Sequence, residues 1–253
     1  MIVDTIPIPR PLRLAPAPLT RESFAAFGDV LTNPAPSSLP HNTPPDTVAD
    51  ALPCGAASAN QGSAIQYRRL GAVRDLYQQS RSGTPAAPRV TMFVCGARDE
   101  VLRGGTFGVK VLERHPFTTQ TFAPLGGDGD RTRYLVIVAP TLAPGHDGKK
   151  EVLPVPTQAT DGKGALPGRG LPDLSRVQAF IATGKQAVTY GAGTWHAPMV
   201  ALGARGTAID FVVTQFANDV PVEDCQEVVL EGGPSGNSIT VEVVSEETTL
   251  AKL

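Results

Sequence analysis

The sequence predicts a mainly β protein, an antiparallel sandwich or barrel with a few short helices. Short apolar runs recur along most of the chain, and several alternate with a period of two. Glycine and proline, 26 and 24 in number, punctuate nearly all of them, as frequent turns require. Helical spacing is confined to two segments, and few helices beside many strands favour antiparallel packing.

Taken in order, Thr20 caps a short helix through Phe27, with Phe24 and Phe27 on one face and Gly28 as the stop. Residues 33–63, rich in Pro, Ser, Ala and Asn, read as an irregular surface segment. Strands are predicted at 90–94, 107–115 and 134–139. Residues 141–170, dense in Gly, Pro and Lys, read as an exposed, partly mobile insertion. The spacing of Leu174, Val177 and Ile181 then predicts a helix over 173–183, capped by Asp173 and ended by Gly184. Further strands are predicted at 186–190, 194–202, 207–216, 227–230 and 239–244. No repeat is evident, and the 253 residues fit a single domain, 1–253.

The 22 basic and 24 acidic side chains leave a net charge of −2 with no block of one sign, which argues against nucleic acid as a partner. No apolar run approaches the ~18 residues that a bilayer demands, so no membrane partner is expected. The opening MIVDTIPIPRPLRL is broken by charge and proline, unlike a secretion signal, and the cytoplasm is the expected location. Cys54, Cys95 and Cys225 are odd in number and far apart, which suits neither a disulfide framework nor a metal clip. Cys95 closes an apolar run and reads as buried; Cys225 stands near Asp224 and Glu227, whose charge raises a thiol pKa. Neither is a candidate nucleophile.

The chemistry concentrates in LERHPFTTQTFAPL, residues 112–125. On a regular strand, alternation places Glu113 and His115 on the face of Phe107, Val109 and Val111. Ionisable groups carried into a core need a partner or a function. Glu113, His115 and Gln120 have the spacing E-x-H-x4-Q, and His196 follows the glycine turn Gly191–Gly193. This set resembles that of the cupins, where a motif on one hairpin and a late histidine on another converge inside a jelly roll. With two imidazoles, a carboxylate and an amide, it makes a weaker transition-metal site than three histidines and a carboxylate.

Plainer readings stand beside these. Glu113 can pair with Arg114, and His115 can simply begin the turn at Pro116. Tyr190 and Trp195 suit the core, but adjacency to His196 gives them weight as substrate contacts. Lys110 falls on the face opposite Glu113 unless the strand bulges. Asp210, inside an apolar run, must face outward or find a donor. His41 and His146 lie in loop-like segments and read as solvated.

The same stretch is similar to the ureidoglycolate lyases, formerly called ureidoglycolate hydrolases. So are LTRESFAAFGDVL (19–31), the Asn60-Gln61-Gly62 segment leading to Tyr67, YLVIVAP (134–140), PDLSRVQAFIATGKQAVTY (172–190), GTWHAP (193–198) and IDFVVTQFANDVPVEDCQEV. Relatives often carry YHxGxWHHP where this chain has Tyr190 to Pro198, so only His196 carries over there, and they often have an arginine in place of Val94.

The resemblance implies a cupin-like barrel and cleavage of (S)-ureidoglycolate to glyoxylate and urea, a step of allantoin and purine degradation. His115 or His196 would be the base, with Glu113 orienting or sharing the proton. Gln120 and Asn60 would bind the ureido group, and Arg114 is the nearest candidate for the carboxylate anchor, although alternation points it away from Glu113, so that a backbone donor or another arginine could take its place. Lys110 is a rival base if its strand bulges. No redox cofactor is required; a divalent metal, if held, would sit on Glu113, His115, Gln120 and His196. The other readings are a metal-dependent cupin isomerase or dioxygenase, and a non-catalytic cupin that binds a small carboxylate. A homodimer joined through sheet edges is expected.

Overall fold

The computed structural model describes residues 1–98, 101, 105–143, 153–158 and 166–243. The early strands are β1 (Ile2–Pro7), β2 (Leu12–Leu14), β3 (Ala17–Pro18), β4 (Gly28–Leu31), β5 (Ala56–Ala59), β6 (Ala64–Tyr67) and β7 (Ala87–Gly96). The middle ones are β8 (Thr106–Gly108), β9 (Val111–Arg114), β10 (Gln120–Leu125), β11 (Arg133–Ala139), β12 (Gln178–Thr183) and β13 (Ala187–Tyr190). The last are β14 (Trp195–His196), β15 (Val200–Leu202), β16 (Ala208–Ala217), β17 (Gln226–Glu231) and β18 (Ile239–Glu242). Three single-turn helices accompany them: α1 (Arg21–Phe24), α2 (Val48–Ala51) and α3 (Pro221–Asp224).

Two large sheets face each other. One has eight strands in the order β1-β17-β9-β14-β11-β12-β3, with β15 also on β11; the other has five, ordered β4-β13-β10-β16-β7. Between them lie Tyr134, Val136, Val138, Phe180 and Ala182 from the first and Phe122, Val188, Tyr190, Phe211 and Val213 from the second. The opposite face of the larger sheet is covered too: Leu112, Leu135, Ile137, Trp195 and Val228 pack with Ile6, Phe107, Ile239 and Val241. A strand buried on both faces should read as a continuous apolar run, which is why β11 is spelled YLVIVA.

The mainly β architecture agrees with the sequence, and several elements correct it. Gln178–Thr183 is a strand, not the second half of a helix, because it pairs with β11 from Arg133 to Val138. Leu174, Val177 and Ile181 fit a helical stripe by spacing, yet Asp173 Oδ1 accepts from the amide and hydroxyl of Ser175 in a turn. The helix at Thr20 is shorter than predicted, with a reciprocal Thr20/Ser23 capping box. The single strand predicted over 107–115 is two, β8 on β18 and β9 on β17 and β14, separated at Val109 and Lys110. That break shifts the alternation: Phe107 and Val109 join Leu112 in the outer core, while Glu113 turns the other way. Strands β1 to β6 and β10 had not been expected, nor had α2 within the 33–63 segment. The insertion expected at 141–170 is only partly within the described residues, and His146 lies outside them.

Candidate active site

Strand β14 lies between β9 and β11, and His196 pairs in register with Glu113 and Val138. Residues in register share a face, so both side chains enter the space between the sheets. His115 follows β9, and its ring centre lies 5.6 Å from that of His196. The glycine turn draws the two histidine segments together: Gly193, at φ 80°, donates its amide to the His115 carbonyl at 2.9 Å. Tyr190 stacks on His196 at 3.8 Å with 10° between the planes, fixing the ring from behind.

Backbone carbonyls set both imidazoles. His115 Nδ1 lies 2.6 Å from the Asp224 carbonyl and His196 Nδ1 lies 2.9 Å from that of Thr194. A carbonyl can only accept, so each Nδ1 carries hydrogen and each neutral ring presents its lone pair at Nε2. Both Nε2 atoms are buried without a hydrogen-bond partner among the described residues, and so is Gln120 Oε1. His196 Nε2 stands 3.5 Å from Glu113 Oε1, within ion-pair range. Gln120 itself is oriented by donating Nε2 to Gln215 Oε1 at 2.7 Å.

Burial pushes the His115 imidazole below its ordinary pKa, and the neighbouring His196 adds to this. For Glu113 burial acts upward, but His196 and then His115 outweigh it and hold the carboxyl below its usual value. The resulting site sets the Glu113 carboxylate beside two buried imidazoles. Glu113, His115 and His196 offer ligand atoms within 4.8 Å of one another. They form a set of two imidazoles and one carboxylate of the kind that a divalent transition metal takes.

Glu113 is the member that reaches a cleft of about 440 Å³, shared with Phe93, Arg98, Phe122, Pro198 and Met199. A second cleft of about 440 Å³, with Arg69 and Arg74 on its lining, contains none of Glu113, His115, Gln120 or His196. Glu113, 3.5 Å from the buried His196, joins this cleft to the unpartnered groups and marks it as the candidate.

A model of the ureidoglycolate lyase family matches residues 11–235. The chain belongs to the ureidoglycolate lyase family. It is 32% identical over 220 residues to the ureidoglycolate lyase of Saccharomyces cerevisiae, covering 83% of this chain and 90% of that protein. It is 33% identical over 213 residues to that of Schizosaccharomyces pombe, covering 82% and 86%. With the Burkholderia mallei ureidoglycolate lyase the identity is 28% over 202 residues, covering 80% and 81%.

In this ureidoglycolate lyase family member, other residues singled out in the sequence lie elsewhere. Arg114 faces the outer core, its guanidinium 4.4 Å from the Trp195 ring centre. It donates to Gln226 Oε1 and to the carbonyls of Gly168, Arg169 and Gly170, and Trp195 also donates to Gly170. Alternation along β9 sends it away from Glu113, so Arg114 and Trp195 clamp a loop instead of lining the cleft. Asn60 is exposed at the tip of the β5–β6 hairpin, a sheet that does not pair with the one bearing Glu113. Lys110 is exposed despite the break beside it, as are His41 and Asp210. Cys95 is half-buried rather than buried. The Cys225 thiol is pushed up to about 12 by burial and then by Glu113. Arg98 was not anticipated: it follows β7 with no motif around it, and only the fold carries it to the cleft.

Proposed function

We propose that this protein is a ureidoglycolate lyase that cleaves (S)-ureidoglycolate to glyoxylate and urea in allantoin breakdown. The observation that carries the reading is the convergence of His115 and His196 on Glu113, their ligand atoms within 4.8 Å of one another and both Nε2 atoms buried without a hydrogen-bond partner among the described residues. The reaction moves one proton from the substrate hydroxyl to the ureido nitrogen. As His196 Nε2 takes the hydroxyl proton, the oxygen lone pair forms the carbonyl of glyoxylate and the carbon–nitrogen bond breaks. The departing nitrogen recovers a proton from the same imidazolium, so urea leaves neutral. Glu113, 3.5 Å away, stabilises the imidazolium between the two transfers. His115, held neutral by its burial, offers a second lone pair, and Gln120 Oε1 accepts from the ureido amides. Arg98, on the cleft lining and without an ion-pair partner among the described residues, takes the role of carboxylate anchor in place of Arg114.

A second reading has one specific support, the donor set itself. Glu113, His115, Gln120 and His196 would hold a divalent metal, which would supply Lewis-acid polarisation of a substrate oxygen. In either case the residues orient the substrate and hold the proton at Nε2 or the carboxylate. A two-copy assembly and a cytoplasmic location belong to the same proposal.

The deciding experiment incubates the purified protein, before and after exhaustive chelation, with racemic ureidoglycolate and measures urea, ammonia and glyoxylate separately. Equal urea and glyoxylate, surviving chelation, support proton transfer by the side chains. Activity lost to chelation and restored by one divalent ion per chain transfers the reading to the metal. Ammonia in place of urea, or no turnover, overturns the lyase.

A further inference from the structure

Glu113 and His196 are held by strand ladders, but His115 stands one residue past the end of β9 and has none. A buried chain of hydrogen bonds from two distant segments holds its ring instead. His115 Nδ1 lies 2.6 Å from the Asp224 carbonyl at the end of α3, closer than the 2.9 Å between His196 Nδ1 and the Thr194 carbonyl. The Asp224 side chain is itself tied down at both oxygens. Oδ1 accepts from the Tyr77 hydroxyl at 2.6 Å and from the Asn218 amide at 2.9 Å, and Oδ2 accepts from the Asp219 amide at 2.8 Å. The bond from hydroxyl to carboxylate is short and charge-assisted; the Phe216 carbonyl, 3.3 Å from the same hydroxyl, is the weaker acceptor. Tyr77 is 2% exposed, and its ring packs on Phe117 with 5.5 Å between the centres. Beside it, Leu76 donates its amide to the Phe117 carbonyl at 2.8 Å. Phe117 lies two residues after His115, so the chain closes on itself, from His115 through Phe117, Tyr77 and Asp224 back to the His115 ring.

We propose that Tyr77 and Asp224 are positioning residues of the reaction, which together hold His115 in the form that carries its hydrogen on Nδ1 and keeps the lone pair at Nε2. A neutral imidazole has one hydrogen to place, and the acceptor beside one nitrogen decides where it goes. With the Asp224 carbonyl displaced, that hydrogen can pass to Nε2, and the site then meets a donor instead of a lone pair. Neither residue lines the Glu113 cleft. Tyr77 acts through Asp224, and Asp224 acts through a main-chain carbonyl whose place its own side chain secures. Because the carbonyl survives any substitution, the side chains control where it stands rather than whether it exists. The two residues are 147 positions apart, and only the fold joins them. The expected effect on rate rests on the lyase reading. The placing of the hydrogen does not, since a histidine that binds a metal through Nε2 needs the same hydrogen on Nδ1.

Tyr77→Phe removes one oxygen and leaves the ring on Phe117. Nitrogen-15 NMR of the imidazoles, with His115 assigned among the four histidines by His115→Gln, reads the position of the hydrogen without substrate. In the wild type His115 should carry it on Nδ1 alone; hydrogen on Nε2 overturns the proposal. In Tyr77→Phe the two His115 nitrogen signals should move toward each other as the forms mix, while those of His196, held by Thr194, stay in place. With ureidoglycolate the variant should lose about tenfold in kcat, with KM within about twofold of wild type. Unchanged His115 signals, or shifted signals with wild-type kcat, overturn the proposal. Asp224→Asn, which loses the charge and the bond to the Asp219 amide, should mix the two forms as well. Unmoved His115 signals there overturn the proposal even if Tyr77→Phe does not fold. A wild type without turnover defeats the lyase reading alone, because the spectra decide the place of the hydrogen independently.

Discussion

Replacing Glu113 with Gln removes one negative charge from beside His196 and leaves the shape nearly unchanged. Opposite unit charges at the observed 3.5 Å attract by ~5 kcal/mol at an effective dielectric of ~20. Glu113 is 18% exposed, and solvent screening at that exposure brings the useful figure to about 3 kcal/mol. If this attraction is present only while the imidazole carries the substrate proton, its loss lowers kcat by about 10²-fold. Steady-state release of urea measures the loss. Folding should be unharmed, since the variant removes a buried charge rather than orphaning one. A Glu113→Gln protein with wild-type kcat would refute the proton-transfer role.

His196→Ala, measured in the same assay, should lower turnover by about two to four orders of magnitude. Arg98→Ala should raise KM for ureidoglycolate by ~10–100-fold while kcat holds, the ~1.5–3 kcal/mol of a charge-assisted hydrogen bond. An unchanged KM removes Arg98 from substrate binding. Thermal unfolding against pH should show stability falling on acidification below about 6.5, the ordinary histidine value, because His115 is neutral when folded and protonates on unfolding. Its folded pKa is depressed, so this contribution is whole above the unfolded value and is lost as pH falls toward the folded one; His115→Gln should flatten the slope. Glu223→Ala should cost about 2–4 kcal/mol in denaturant titration. It removes the carboxylate that accepts from Ser82 N and Oγ and from Asn218 Nδ2.

Read from the sequence alone, Glu113, His115, Gln120 and His196 already form one set, because their clustering in strand-like segments weakens the plainer reading that each has alone. The mainly β class was legible from the same source, since period-two runs and turn residues are local properties. Local signals misled where two periods fit one segment. Leu174, Val177 and Ile181 satisfy a helical stripe, but the six hydrogen-bonding neighbours offered by β11 outweigh that spacing and make a strand. The register of the site was also beyond local reading. One break at Val109 and Lys110 parts Glu113 from Phe107 and Val109, which lie in the outer core while Glu113 faces the space between the sheets.

The sequence by itself determined the class of fold, the family and the four groups that converge, because these rest on residue identity and short-range periodicity. Only the tertiary structure decided that both Nε2 atoms are left bare and that Arg98 replaces Arg114 at the cleft. Each of those depends on which backbone carbonyl or strand lies opposite, and such long-range pairings are set by the closing of the sheets rather than by any neighbouring residue.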